Sequence, residues 1–127
     1  MSNSAIAKQK VFVVDDEKQI ADAISFVLRE TGFDVETFYD PRSVLQRASD
    51  CMPDVLVSDI GMPEMDGITL ARVLRRKIPN CKVILMSGNP YWKARGESQS
   101  GELDGFPLLL KPFPFRKLLE LIKSELS

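Results

Sequence analysis

Four short apolar runs in this sequence each lead directly into polar residues that could do chemistry. The residues that follow these runs are Asp15 with Asp16, Asp59, Ser87 and Lys111. Apolar runs rich in Val, Ile and Leu are typical of strands buried on both faces of a parallel sheet. Because ligands bind outside the carboxyl ends of such strands, we expect these five side chains to converge at one edge of the sheet.

Three carboxylates held a few ångströms apart at one edge would repel one another, and each would resist ionisation. A bound divalent cation would remove this repulsion, so the arrangement favours a metal site. Mg²⁺ prefers carboxylate oxygens and also binds phosphate oxygens. Asp59 ends a central strand before a turn-rich loop and is the best candidate nucleophile toward phosphorus, with Asp15 and Asp16 as metal partners. Lys111 would neutralise charge on a transferring phosphoryl group, and Ser87 would donate a hydrogen bond to it.

Each of these residues, taken alone, also has a purely structural interpretation. Asp15 and Asp16 could cap a helix, and Asp59 could simply enter a loop. Ser87 could belong to a turn, and Lys111 could be solvated. All five nevertheless fall at the same point of their own strand–helix units, which favours a shared chemical role.

Strand-like and helix-like segments alternate along the chain. Strands are expected at residues 10–15, 34–38, 54–59, 82–87 and 107–110. Helices are expected at residues 17–30, from Pro41 to about 48, at 67–77 and at about 114–126. In residues 88–105 glycines and serines oppose a regular helix, so the sequence predicts a short or irregular fourth helix there.

Four residues have the type and position of helix caps. Asp16 begins a capping-box pattern, Asp40 precedes a proline, and Asp66 precedes the third helix. Gly32 stands where a helix commonly ends in a left-handed residue.

The alternation predicts parallel strands joined by right-handed crossovers. The strand order that fits best is 2-1-3-4-5, an α/β flavodoxin-like (βα)5 three-layer sandwich. This order puts the polar second strand at an edge and brings the other four strands, with their polar end residues, side by side.

The composition narrows the class of protein. The 127 residues suit one domain, and a net charge of −1 does not favour nucleic-acid binding. There is no histidine, and Cys51 and Cys81 lack metal or redox spacing and are expected to be free thiols. We find no apolar stretch long enough for a membrane span and no signal peptide, and we expect a cytoplasmic protein.

The segments VFVVDDE, VLVSDIGMPEMDG, VILMSG and LLLKPF resemble, in order and spacing, the receiver domain of two-component response regulators, the CheY-like superfamily. The resemblance covers residues 10–126 as a single receiver domain, after an N-terminal tail at 1–9. It implies that Asp59 accepts a phosphoryl group from a phosphohistidine on a sensor histidine kinase or a histidine phosphotransfer protein, and that phosphorylation changes binding to a downstream target.

The same resemblance implies a role for each site residue. Asp16 and Asp59 would bind Mg²⁺ directly, together with the backbone carbonyl of Gly61, and Asp15 would act through water. Ser87 and Lys111 would contact the phosphoryl oxygens. A cis peptide bond between Lys111 and Pro112 is also implied.

Two other functions stay open from the sequence. A pseudo-receiver would use the same fold as a scaffold without phosphorylation, which the complete set of site residues disfavours. A phosphohydrolase of the haloacid-dehalogenase type would have an aspartate two residues after the nucleophile, where this chain has Gly61. The preferred interpretation is a phosphoacceptor rather than a turnover enzyme. One departure from the family pattern is Leu108, where an aromatic switch residue is usual.

Overall fold

The computed structural model describes residues 8–92, 103 and 105–127, and within them five strands form one parallel sheet. The strands are β1 (Lys10–Val14), β2 (Asp34–Phe38), β3 (Val55–Asp59), β4 (Lys82–Ser87) and β5 (Leu108–Leu110). Their order, β2-β1-β3-β4-β5, confirms the predicted flavodoxin-like topology, with the polar strand β2 at one edge.

Four helices are described at full length. They are α1 (Lys18–Glu30), α2 (Pro41–Ala48), α3 (Gly67–Lys77) and the C-terminal helix α4 (Phe115–Leu126). Residues 90–92 are also helical, but the rest of the short fourth helix predicted between β4 and β5 lies outside the described residues. Within the described part of the chain, no helix is long and apolar enough to cross a membrane.

The helices cover both faces of the sheet and create two apolar layers. Successive side chains of a strand point to opposite faces, so Val11 and Val13 pack on one side of β1, and Phe12 and Val14 pack on the other. The α1–α4 layer includes Ala21, Ile24, Leu28, Leu118 and Ile122. The α2–α3 layer includes Val44, Ala48, Leu70, Ala71 and Leu74. Burial on both faces explains why the strands read as continuous apolar runs.

Three of the predicted helix caps are confirmed. The side chain of Asp40 accepts a hydrogen bond from the backbone N–H of Ser43 at 2.9 Å, and Asp66 accepts one from Thr69 at 2.8 Å. Gly32 has a φ of 106°, which is unfavourable for side-chain-bearing residues, and it follows the last turn of α1.

The prediction that Asp16 caps α1 was wrong. The N-cap residue is Glu17, whose side chain makes no capping hydrogen bond. Asp15 closes the preceding turn instead, because its Oδ1 accepts a hydrogen bond from the backbone N–H of Glu17 at 2.9 Å. Asp16 is exposed and lies beside the end of β1, at the carboxyl edge of the sheet.

Candidate functional site

Three aspartates converge at the carboxyl edge of the sheet, as the sequence predicts. One carboxylate oxygen from each of Asp15, Asp16 and Asp59 lies within 4.8 Å of the other two. Asp15 is fully buried, Asp59 keeps 10% of its side-chain surface exposed, and Asp16 is exposed. The cluster therefore opens to solvent on one side while its base is held inside the fold.

Lys111 joins two of these carboxylates. Its Nζ donates hydrogen bonds to Asp15 Oδ2 at 2.7 Å and to Asp59 Oδ1 at 2.9 Å. The backbone N–H of Lys111 also donates to the carbonyl of Ser87 at 2.8 Å, which places the lysine just beyond the end of β5. The peptide bond from Lys111 to Pro112 is cis, which confirms that prediction.

The charges of this cluster do not balance. Burial raises the pKa of Asp59, the negative charge of Asp15 adds to this effect, and the hydrogen bond from Lys111 offsets it only in part. Burial lowers the pKa of Lys111, but the hydrogen bonds to Asp15 and Asp59 outweigh it and the net shift is upward. Three carboxylates facing one ammonium group favour the binding of a further cation.

Ser87 and Gly61 flank the carboxylates. Asp59 pairs with Met86 in the sheet, so Ser87, one residue further along β4, lies at the same edge. Ser87 is buried, and its Oγ accepts a hydrogen bond from the backbone N–H of Asn89 at 3.0 Å. Gly61 lies in the exposed loop after β3, two residues beyond Asp59. The structure thus brings every predicted site residue to one edge of the sheet.

One residue that shapes this edge was missed in the sequence. Gly67 begins α3 so close to the end of β3 that a Cβ atom there would lie 2.1 Å from the backbone oxygen of Asp59. Its N–H donates to the carbonyl of Ile60 at 2.8 Å and fixes the approach. The signal was a glycine immediately after the capping residue Asp66, where a helix former would otherwise be expected.

Comparison with known proteins identifies the family. The sequence model of the response regulator receiver domain matches residues 11–123, which is most of the chain. This chain belongs to the response regulator receiver domain family. The receiver domain is a module of two-component systems, and receiver domains of response regulators interact with kinases and downstream effectors.

Individual relatives agree with this family. The DNA-binding transcriptional regulator NtrC of Proteus hauseri is 32% identical over 94% of this chain, and the transcriptional regulatory protein PrrA of Mycobacterium leprae is 29% identical over 98%. The receiver domain described here spans 25% of the length of NtrC and 52% of PrrA.

A solved response regulator structure has the same fold. The response regulator TrrA of Thermotoga maritima, described in complex with Mg²⁺-BeF, superimposes with a TM-score of 0.78 at 26% identity. The match covers 92% of this chain and 98% of TrrA.

Proposed function

We propose that this receiver domain accepts a phosphoryl group on Asp59, in a Mg²⁺-dependent reaction, from a phosphohistidine of a sensor histidine kinase or a histidine phosphotransfer protein. Phosphorylation then changes its binding to a downstream target. The observation that carries the proposal is the hydrogen-bonded set of Lys111, Asp59 and Asp15 inside an acidic cluster at the strand ends.

The donor atoms of the cluster fit Mg²⁺. All three are hard carboxylate oxygens, the ligand type that Mg²⁺ prefers. One oxygen from each aspartate lies within 4.8 Å of the other two, close enough for the three side chains to share one cation. By the resemblance to receiver domains, Asp16, Asp59 and the carbonyl of Gly61 would bind the ion directly, and Asp15 would act through water. The response regulator TrrA, which has the same fold, is described in complex with Mg²⁺-BeF, and this supports a Mg²⁺ site at this edge of the sheet.

The transfer itself requires little from the protein beyond positioning and charge. A carboxylate oxygen of Asp59 attacks the phosphorus, the new O–P bond forms, and the N–P bond to the donor imidazole breaks. The bonding electron pair stays on the imidazole nitrogen, which takes up a proton. Lys111 compensates charge on the transferring oxygens, and Ser87 donates a hydrogen bond to one of them. Bound Mg²⁺ would add positive charge beside the same oxygens.

We infer that the domain is a phosphoacceptor that assists its own phosphotransfer and dephosphorylation, and not a turnover enzyme. These 127 residues contain no histidine, so the phosphohistidine must lie outside them. A pseudo-receiver or an aspartyl-phosphate phosphohydrolase would give a different result in the experiment below.

The experiment is the intact mass of the protein after incubation with acetyl phosphate, with and without Mg²⁺. We expect the wild type to gain one phosphoryl group only with Mg²⁺, and Asp59→Asn to gain none. The matched control is Asp50→Asn, since Asp50 is an exposed aspartate in the turn after α2, away from the cluster.

Each other outcome points elsewhere. No gain in the wild type with either acetyl phosphate or a phosphorylated histidine phosphotransfer protein would favour a scaffold. Continuous release of phosphate from small esters would favour a phosphohydrolase.

A further inference from the structure

A buried serine directly precedes Asp59 in β3. Ser58 has no exposed surface, although it lies one residue from the open edge of the sheet. It follows Leu56 by two residues, so its side chain points to the same face of the sheet, toward the α2–α3 layer. There its Oγ donates a hydrogen bond to the backbone carbonyl of Asp59 at 2.9 Å. The hydroxyl therefore acts on the backbone of Asp59 and not on its carboxylate.

The peptide unit between Asp59 and Ile60 is held at both of its polar atoms. The Asp59 carbonyl accepts the Ser58 hydroxyl, and the N–H of Ile60 donates to the carbonyl of Met86 at 2.9 Å. The backbone of Gly67 covers the same Asp59 oxygen, since a Cβ atom there would lie 2.1 Å from it. Because α3 fills this space, water has little access to the oxygen, and the hydroxyl of Ser58 supplies a donor from within the fold.

The orientation of this peptide unit decides where the Asp59 carboxylate lies. The carboxylate bonds Lys111 at 2.9 Å and belongs to the cluster with Asp15 and Asp16. A tilt of the peptide turns the Cα–Cβ bond of Asp59 and moves the carboxylate away from these partners. A buried carbonyl that loses its donor is unfavourable, and such a tilt would relieve it. Since a displacement of about 1 Å can slow a reaction about a hundredfold, the transfer depends on this bond.

We propose that Ser58 is a positioning residue for phosphotransfer, because its hydroxyl fixes the Asp59–Ile60 peptide and thereby directs the Asp59 carboxylate toward the cation and the incoming phosphorus. Ser58 acts only through Asp59 and touches no reacting atom. The inference rests on the proposed function, because it takes Asp59 as the nucleophile.

The test compares Ser58→Ala, which removes the hydroxyl, with Ser58→Thr, which keeps it. The matched control is Ser25→Ala, since Ser25 is also fully buried and its Oγ accepts a hydrogen bond from Thr37 at 2.7 Å, between α1 and β2 and away from the cluster. Two quantities are measured for each protein: the dissociation constant of Mg²⁺ by calorimetry, and the rate of mass gain from acetyl phosphate at saturating Mg²⁺. Urea denaturation gives the stability of each variant.

We expect Ser58→Ala to gain mass about tenfold more slowly than the wild type, or slower still, and to bind Mg²⁺ more weakly. Ser58→Thr should remain close to the wild type in both measurements. Ser25→Ala should lose stability as Ser58→Ala does, yet keep the wild-type rate and Mg²⁺ affinity. Ser58→Cys fills the same space with a weak donor and should also be slow, so the test stays decisive even where the alanine variant folds poorly.

Three results would overturn the positioning role and leave the proposed function intact. The first is a wild-type rate in both Ser58→Ala and Ser58→Cys. The second is a Ser58→Thr variant as slow as Ser58→Ala, which would assign the effect to packing and not to the hydroxyl. The third is a Ser25→Ala variant slowed as much as Ser58→Ala, which would assign it to lost stability. A wild type that gains no mass would overturn the proposed function and the positioning role with it.

Discussion

One lysine–carboxylate cluster lies at the amino ends of the strands and another lies at their carboxyl ends, and the two clusters differ in charge balance. At the edge where β1 and β2 begin, Lys10 contacts Asp34 at 3.0 Å and Glu36 at 2.9 Å. Arg47 also donates to Glu36, at 2.7 Å and 3.0 Å. Two cations thus face two carboxylates, and the hydrogen bonds from Arg47, together with the one from Lys10, hold the pKa of Glu36 at about 2 despite its partial burial.

At the carboxyl edge, Lys111 bonds Asp15 and Asp59, and Asp16 is the third carboxylate of the cluster. Here burial dominates, and the pKa of Asp59 is raised where that of Glu36 is lowered. Similar residue types therefore produce opposite shifts. The balanced edge contributes to folding stability, and the acidic edge is less stable at the site that we propose binds a cation and a phosphoryl group.

The largest effect on the free energy of unfolding is expected from a substitution at Gly67, where α3 approaches the end of β3. Because a Cβ at Gly67 would overlap the backbone of Asp59, Gly67→Ala should lower the free energy of unfolding by about 3 kcal/mol. Urea denaturation measures this value. Gly61→Ala is the control, since a Cβ at Gly61 would meet no atom within 4 Å. Equal stability of the two variants would show that the close approach of α3 to β3 does not shape the site.

A smaller effect on the free energy of unfolding is expected when one carboxylate is neutralised at each edge, at neutral pH and without divalent cations. Asp59→Asn should raise the free energy of unfolding by about 1 kcal/mol, since a destabilised carboxylate is removed. Glu36→Gln should lower it by about 1 kcal/mol, since a stabilised one is removed. Adding Mg²⁺ should stabilise the wild type more than Asp59→Asn. Changes of the same sign in both variants would contradict the contrast between the edges.

The smallest effect is the pH dependence of the balanced edge. The pKa of Glu36 is lowered from 4.5 to about 2, so its contribution is complete above pH 4.5 and is lost as the pH falls toward 2. The difference in unfolding free energy between the wild type and Glu36→Gln should therefore shrink across that interval. Urea titrations at several pH values measure it, and a difference that stays constant would place the stabilisation outside the Glu36 carboxylate.

Much of this architecture could be predicted because its determinants are local. The apolar runs, the caps at Asp40 and Asp66, and the left-handed Gly32 act within a few residues of themselves. The alternation of elements then restricts the strand order, since crossovers are right-handed and polar strands belong at an edge. That order was sufficient to predict that Asp15, Asp59 and the other end residues meet.

What the sequence alone determined is therefore which elements form, in what order, and which polar residues reach the carboxyl edge. Only the tertiary structure decided which hydrogen bonds and ion pairs each of these residues makes. Asp15 rather than Asp16 closes the turn into α1, Lys111 bonds two carboxylates 52 and 96 residues away, and Arg47 balances Glu36. The physical reason is that burial and charge balance depend on groups distant in sequence, and no local pattern states which of them come within hydrogen-bonding distance.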